Sequence, residues 1–557
     1  MKQRVTLLHP EYTYIDGSGL NATHGRELVG KPALEKRVTA SLSELPPELR
    51  NLPLWSNTHE LHIRWVSSEY HEPPTTFASR LPSGLHVFFT PSARNESYNP
   101  CLLLTYLFDR DMRCSSPAES FSRPPILSER FSASSAYQFY QPLPRIFRFQ
   151  LSMGLFFCTS AENSTSNVSR DASSEHNRTV SDLSRESTNT SAGYVHENLS
   201  ARHKCMEHAV SLAYASYLDI DYDAISGSVT ATAFWSSELA RPAVERGSRV
   251  LVSDSDSLEL GLFVPEKAEE AEELKIGGYV IMVEEDEEPS PVLFSFPSRH
   301  HPLPSSSPAT FVASFLQPTG LHPNLELTLP RQHLLPPKDD GSCALHVYLT
   351  LPSALFLDRY QLSDPAYLAS QNLIALRSLS GEQDLEAPDW VIKRWGSAAL
   401  IELAHPANIS SDQRNANWTV TIPTHLRYLR PQPNDTTPGY TTLDIPWPIM
   451  FWACEATEGL KMHTNPFDRV NLGYDGLFGP KTMFYHIPPS TSRGQVLVEK
   501  LTVPVLEPSW AGIVQWGTLF ALLGGFLWVC WGLAKAAGVG ELWTGRSSGR
   551  DEHDKKQ

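Results

Sequence analysis

Residues Cys343–Leu351 read CALHVYLTL, in which Leu345, Val347, Leu349 and Leu351 alternate with His346, Tyr348 and Thr350. A side-chain period of two belongs to a β-strand with one face on a core and the other in water. NWTVTIP from Asn417 repeats it, with Trp418, Val420 and Ile422 set against Thr419 and Thr421. ATFVASFL from Ala309, TMFYHIP from Thr482 and QVLVEKLTV from Gln495 are further short runs rich in β-branched and aromatic residues. Strands that bury one face predict antiparallel sheets packed as a sandwich.

The same signal extends towards the N-terminus. LHIRWVS from Leu61, GLHVFFT from Gly84, CLLLTYLF from Cys101 and RIFRFQLSMGLFFC from Arg145 are expected strands, separated by Pro and Ser clusters. YVIMVEE from Tyr279 and PVLFSFP from Pro291 are two more. HKCMEHAVSLAYAS from His203 is a helix candidate, and PEKAEEAEELK from Pro265 reads as a short acidic helix with Pro at its start and Gly277 and Gly278 after its end. The expected organisation is a β-rich region over 1–158, a Ser/Thr/Asn-rich insert over 159–202, a mixed region with the acidic segment over 203–296 and a last β domain over 309–505. PSRHHPLPSSSP from Pro297 forms the boundary before that domain, and its His300 and His301 are expected to be solvated. The insert is too polar to offset its chain entropy by burial, so it is expected to be flexible.

Trp510–Ala534 contains no charge over its 25 residues. As a helix it spans roughly 37 Å, enough to cross a hydrocarbon layer of ~30 Å with some tilt. Trp510, Trp516, Trp528 and Trp531 lie towards its two ends, where indole rings favour the membrane interfaces. The tail at 535–557 carries Lys535, Arg546, Arg550, Lys555 and Lys556, whereas only Arg493 and Lys500 lie in the residues just before the span. Basic residues stay cytosolic, so the tail is expected in the cytosol and residues 1–509 in the lumen. The opening MKQRVTLLHPEYTY has no apolar h-region, so no cleaved signal peptide is expected and the last helix would direct translocation.

Ten of the eighteen asparagines begin an N-x-S/T sequon: Asn21, Asn95, Asn163, Asn167, Asn177, Asn189, Asn198, Asn408, Asn417 and Asn434. That enrichment predicts glycosylated luminal loops. The net charge of -16, about half of it from ten acids between Glu266 and Glu288, argues against nucleic acid as a partner. Six of seven cysteines precede the span, and six thiols allow fifteen pairings. Cys101 and Cys114 are the local candidate pair.

Asp219, Asp221 and Asp223 in LDIDYD suggest either a D-x-D metal site of a glycosyltransferase or the polar face of an edge strand. A calcium loop would need Gly at 224 and an acid at 230, where Ala224 and Thr230 stand. The strand reading explains the alternation without a ligand. No G-x-S-x-G, HExxH, P-loop or paired-cysteine metal frame is present, so no cofactor, catalytic residue or metal ligand is assigned.

TGLHPNLELTL from Thr319, CALHVYLTLPSALFLDRYQLSD from Cys343, LEAPDW from Leu385, IPTHLRYLRP from Ile422 and PWPIMFWAC from Pro446, in this order, resemble the PIG-X/PBN family. Arg430 departs from that pattern, which has proline after HLRYL. The resemblance implies a non-catalytic accessory subunit in the endoplasmic reticulum membrane. It would stabilise a PIG-M-type catalytic subunit of glycosylphosphatidylinositol (GPI) mannosyltransferase I, which adds the first mannose to the GPI precursor. A broader chaperone-like role on other proteins of the reticulum is also implied. Asp358, Arg359, Tyr360, His425, Arg427 and Tyr428 are then candidate partner contacts, each with an ordinary structural role as the alternative. Ala521 and Gly525, a small-xxx-small pair in the span, are the candidate helix contact. Two other classes fit the composition: a single-span glycosylated surface adhesion or receptor protein, and a glycosyltransferase using Asp219 and Asp221.

Overall fold

The computed structural model describes residues 2–9, 32–45, 50–51, 54–69, 80–92, 99–108, 112–125, 136–143, 211–236, 257–266, 275–283, 291–304, 308–338, 341–406, 416–431, 438–456, 472–490 and 495–537. They form two compact units, one of residues 1–428 and 443–501, the other of 429–442 and 502–557. The first holds a ten-stranded sheet built from β1 (Lys2–Leu8), β2 (Ala33–Ser41), β3 (Thr58–Val66), β4 (Gly84–Pro91), β5 (Tyr137–Gln141), β6 (Tyr217–Asp223), β7 (Ser228–Trp235), β8 (Ser257–Pro265), β9 (Lys275–Val283) and β10 (Pro291–Pro297). Their spatial order is β10-β9-β8-β1-β2-β7-β6-β3-β4-β5. Every pairing in it is antiparallel except β1 with β8, which is parallel from Lys2↔Ser257 to Leu8↔Phe263.

The later strands are β11 (His300–Pro302), β12 (Val312–Phe315), β13 (Asn324–Pro330), β14 (Cys343–Pro352), β15 (Leu355–Phe356), β16 (Leu373–Gly381), β17 (Gly396–Leu403), β18 (Asn417–Pro423), β19 (His425–Leu426), β20 (Tyr440–Pro446), β21 (Ile449–Glu455), β22 (Thr482–Ile487) and β23 (Val498–Pro504). Six of them make a sheet in the order β11-β22-β21-β14-β17-β16; β12-β13-β18, β15-β19 and β20-β23 are smaller sheets.

The expected mainly β architecture is present, and one core lies between the two large sheets. Leu61, Ile63, Leu85, Val87 and Phe139 of the first meet Tyr348, Ala398, Leu400, Phe451 and Phe484 of the second in a single buried cluster. The expectation that CALHVYLTL wets one face is overturned: His346, Tyr348 and Thr350 are as buried as the leucines between them. β14 is central, and covering both faces is affordable because its polar side chains find partners. Tyr348 Oη accepts from Gln138 Nε2 of β5 at 3.0 Å, and His346 Nδ1 lies 3.0 Å from the Ala344 carbonyl.

CLLLTYLF is not a strand. It is helix α1 (Cys101–Phe108), opened by Asn99 Oδ1, which accepts from Cys101 N at 2.9 Å, with Pro100 at the first turn. Cys101, Leu103, Leu104, Leu107 and Phe108 are buried while Leu102 is 69% exposed, a helical spacing that the dense apolar composition masks. His300 and His301 are not solvated either. β11 pairs with β22, and both imidazoles are buried beside Phe484, Tyr485 and His486, with His300 Nδ1 3.0 Å from His486 Nε2. Arg299, also buried, pairs with Asp475 at 2.9 Å and donates to the Gly479 and Thr482 carbonyls.

Cys101 bonds Cys114 as expected, and Cys343 bonds Cys454, its direct neighbour across β14 and β21. In the second unit, helix α2 (Ala511–Ala536) covers the expected span and is long and apolar enough to cross a membrane. RIFRFQLSMGLFFC, the 159–202 insert, Cys158, Cys205, most of the His203–Ser216 and Pro265–Lys275 segments and the tail from residue 538 lie outside the described residues.

Candidate partner-binding surface

The two motifs LFLDRYQL and HLRYL, about seventy residues apart, meet in one ladder: β15 and β19 pair antiparallel as Leu355↔Leu426 and Phe356↔His425. The chain around β19 is tied down on both sides, with Leu426 N donating to Leu321 O at 3.0 Å and Arg427 N to Ala354 O at 2.9 Å. Arg427 is the centre of the arrangement. Its Nε donates to Ser353 O at 3.0 Å, its Nη1 to Ala387 O at 2.8 Å, and its guanidinium lies over the Phe356 ring. Burial lowers its pKa, opposed by the charges of Glu382, Asp384 and Asp389.

Asp358 and Arg359 do not pair with each other. Asp358 Oδ1 accepts from Tyr360 N at 2.8 Å and Gln361 N at 3.3 Å, closing a short turn, while Arg359 donates to Gln383 Oε1 at 3.1 Å and lies over the Tyr360 ring. His425 stacks on Phe356, reaches Gln361 Oε1 through Nε2 at 3.0 Å and meets His322 at 2.8 Å. Burial first, then the His322 charge, lowers its pKa. Four of the six motif residues thus hold other parts of the loop in place; Tyr360 and Tyr428, 64% and 65% exposed, point outward.

Tyr428 does not stand alone. Its carbonyl accepts from Asp389 N at 3.1 Å, which brings the LEAPDW loop alongside, and Trp390 and Val391 there are 47% and 57% exposed. The loop is held by Ser353 Oγ donating to Asp389 Oδ1 at 2.6 Å and by Asp384 Oδ1 accepting from Glu386 N and Ala387 N. Those two amides hold the Asp384 carboxyl below the usual range. The result is a rigidly backed surface bearing Tyr428, Trp390 and Val391, with aromatic groups of the kind enriched at interface hot spots. Sequence reasoning quoted LEAPDW but singled out neither Asp389 nor Trp390; an aromatic in a Pro-containing loop was the available signal.

The aspartates of LDIDYD have ordinary partners. β6 is an interior strand between β3 and β7, not an edge, and its register sets Asp219 against Arg64 and Asp221 against His62. Both Asp219 oxygens accept from the buried Arg64 guanidinium, at 2.8 and 2.6 Å, and Asp221 Oδ1 lies 2.5 Å from His62 Nδ1. Among the described residues no group of three or more His, Cys, Asp or Glu side chains could hold a metal ion. PWPIMFWAC supplies Trp447, Pro448, Ile449 and Met450 to a largely apolar cavity of about 120 Å³, shared with Val66, Tyr217 and Phe311. Of the sequon asparagines only Asn417 is described; it is exposed at the start of β18. Ala521 and Gly525 lie one turn apart on α2, where a side chain added at Gly525 would meet nothing within 4 Å.

A family model described as PIG-X / PBN1 matches residues 318–534, a span that contains the whole surface and α2 up to Ala534. Beyond it, "Protein pbn1" of Emericella nidulans is 41% identical over 576 residues, covering 100% of this chain and 98% of that protein. "Protein pbn1" of Aspergillus oryzae is 39% identical, covering 96% of this chain and 97% of its own. "Protein pbn1" of Neurospora crassa is also 39% identical, with 96% and 95% covered.

Proposed function

The chain belongs to the PIG-X / PBN1 family, and on that premise we propose that it is the accessory subunit of GPI mannosyltransferase I. In this reading it lies in the endoplasmic reticulum membrane with residues before α2 in the lumen. It stabilises the PIG-M-type subunit that adds the first mannose of the GPI precursor, and it also assists the folding of other proteins of the reticulum. The observation that carries the reading is a match running the whole length of the chain. The surface supports it: side chains of the family motifs hold one another in place and leave aromatics exposed, the design of a docking face. A glycosyltransferase centred on Asp219 and Asp221 has less support, since Arg64 and His62 already engage both carboxylates.

The test is to purify the PIG-M-type subunit with and without this chain and assay mannose transfer from dolichol-phosphate mannose. Co-purification, with loss of the catalytic subunit's yield when the chain is omitted, is the expected result. Transfer by this chain alone would overturn the reading. Glycosidase digestion checks the orientation through a mobility shift.

A further inference from the structure

Where β3 ends, the first unit surrounds the cavity of about 120 Å³ that PWPIMFWAC helps to line. Its floor is Leu81, Phe311, Trp447, Met450 and Ile487, all buried, with the Phe311 and Trp447 rings 5.9 Å apart. Its rim is Val66, Ser67, Glu69, Arg80 and Tyr217, all at least partly exposed. The walls are set in advance, because their main chains are hydrogen-bonded to one another. Ser67 N donates to Ser216 O at 3.0 Å, Leu497 N to Ser68 O at 2.7 Å, Trp447 N to Leu497 O at 3.0 Å and Phe311 N to Pro488 O at 3.1 Å. Pro82, Pro448 and Pro489 stiffen the same segments by fixing φ. Walls held in this way do not collapse into the space, and the side chains facing it lack contacts on one side.

Size and charge specify the occupant. An apolar cavity of roughly 150 Å³ stays free of water and accepts benzene, so one of about 120 Å³ suits a single ring or a branched chain end. Arg64, the buried cation at the site, is already neutralised: both Asp219 oxygens accept from it, at 2.8 and 2.6 Å, and its guanidinium lies over the Tyr217 ring. Arg80 and Glu69, the charged side chains of the rim, are opposite in sign. The cavity therefore offers apolar contact and no net charge to attract an ion. We propose that it binds an uncharged apolar group about the size of a benzene ring, carried by a small molecule or forming the end of a lipid chain. The inference does not depend on the accessory-subunit reading and concerns a site away from Tyr428 and Trp390.

The test titrates benzene into the full chain in detergent micelles and follows the melting temperature. A ligand that binds only the folded chain raises it, and a rise of about 1–2 °C is expected for a chain of this size. Benzoate, the same ring with a charge, should give none. Val66→Phe and Leu497→Phe each put a ring into the cavity, from different walls. Both should melt at or above the parent and lose the response to benzene. They share any effect of benzene on the micelle, so the difference from the parent isolates the cavity. In a second arm the chain is purified from membranes, exchanged into fresh detergent and extracted for mass spectrometry. A lipid retained by the parent and missing from both filled variants identifies a lipid chain as the source; a benzene response without such a lipid identifies a small molecule. An equal benzene response in parent and filled variants, or an equal response to benzoate, would overturn the proposal. So would unfolding of both filled variants, since the space would then not be free, or the lack of a response in both arms.

Discussion

The Arg427 guanidinium lies 4.3 Å from the centre of the Phe356 ring, joining one family motif to another. The same side chain donates to two carbonyls of separate loops, Ser353 O and Ala387 O. A planar fork over an aromatic face serves both contacts at once, which a lysine cannot reproduce.

Arg427→Ala and Arg427→Lys are therefore both expected to destabilise the first unit, by roughly 2–4 kcal/mol for alanine, since two carbonyls lose a charged donor. Chemical denaturation of the full chain in micelles, followed by tryptophan fluorescence, checks this. A lysine variant as stable as the parent would count against the bidentate role.

Tyr428→Ala and Trp390→Ala should behave in the opposite way. Tyr428 is 65% and Trp390 47% exposed, so stability should fall by less than about 0.5 kcal/mol for the first and by about 1 kcal/mol at most for the second. On the proposed function, co-purification with the PIG-M-type subunit should fall, because truncating an aromatic that serves as a hot spot costs on the order of 2 kcal/mol of binding. Quantitative pull-down against an unfolding curve separates the two effects.

In the span, Ala521→Leu with Gly525→Leu fills the small-residue strip. Loss of co-purification with membrane insertion intact is expected if that strip packs on a partner helix. Unchanged recovery of the catalytic subunit would assign the strip to lipid.

The Cys343–Cys454 bond closes 111 residues. On the chain-entropy model a loop of that size contributes about 4–5 kcal/mol. Replacing both cysteines by serine should lower the denaturation midpoint accordingly. Non-reducing peptide mapping of the parent should recover the two cysteines in one linked fragment.

Acid should destabilise the first unit. Burial pushes His86 and His301 down to about 3, and burial, with the nearby Arg80 charge, holds His486 well below its ordinary value. These imidazoles stay neutral in the folded chain while the unfolded chain takes up protons near pH 6.5. Their stability contribution is thus complete above about pH 6.5 and is lost as pH falls towards 3, at up to about 1.4 kcal/mol per pH unit for each. Melting temperature measured at pH 7.5 and 5.5 should drop by several degrees, and His301→Gln should reduce the drop.

Much of this was legible in local patterns. The period-two runs at β14 and β18, the short aromatic run at β22, the uncharged span and the local cysteine pair at Cys101 and Cys114 all appear where the residues place them. At α1 the Asn99–Pro100 start signal was present, yet a run in which seven of eight residues are apolar or aromatic read as a strand because composition outweighed spacing. At Arg427 the motif order pointed to the right residues, but their division into Arg427, which holds the loops, and Tyr428, which faces outward, required the β15–β19 ladder.

The sequence alone determined the β class, the single membrane-length helix and the family, because each rests on side-chain periodicity, on an apolar run or on motif order along the chain. Only the tertiary structure decided that Lys2–Leu8 lies inside a sheet beside residues some 255 positions away, that β14 is covered on both faces, and that His300 and His301 are buried. Those outcomes depend on which distant strand supplies the neighbouring hydrogen bonds and the covering side chains. Local periodicity specifies which face of a strand is apolar, and carries no information about what will be packed against the other.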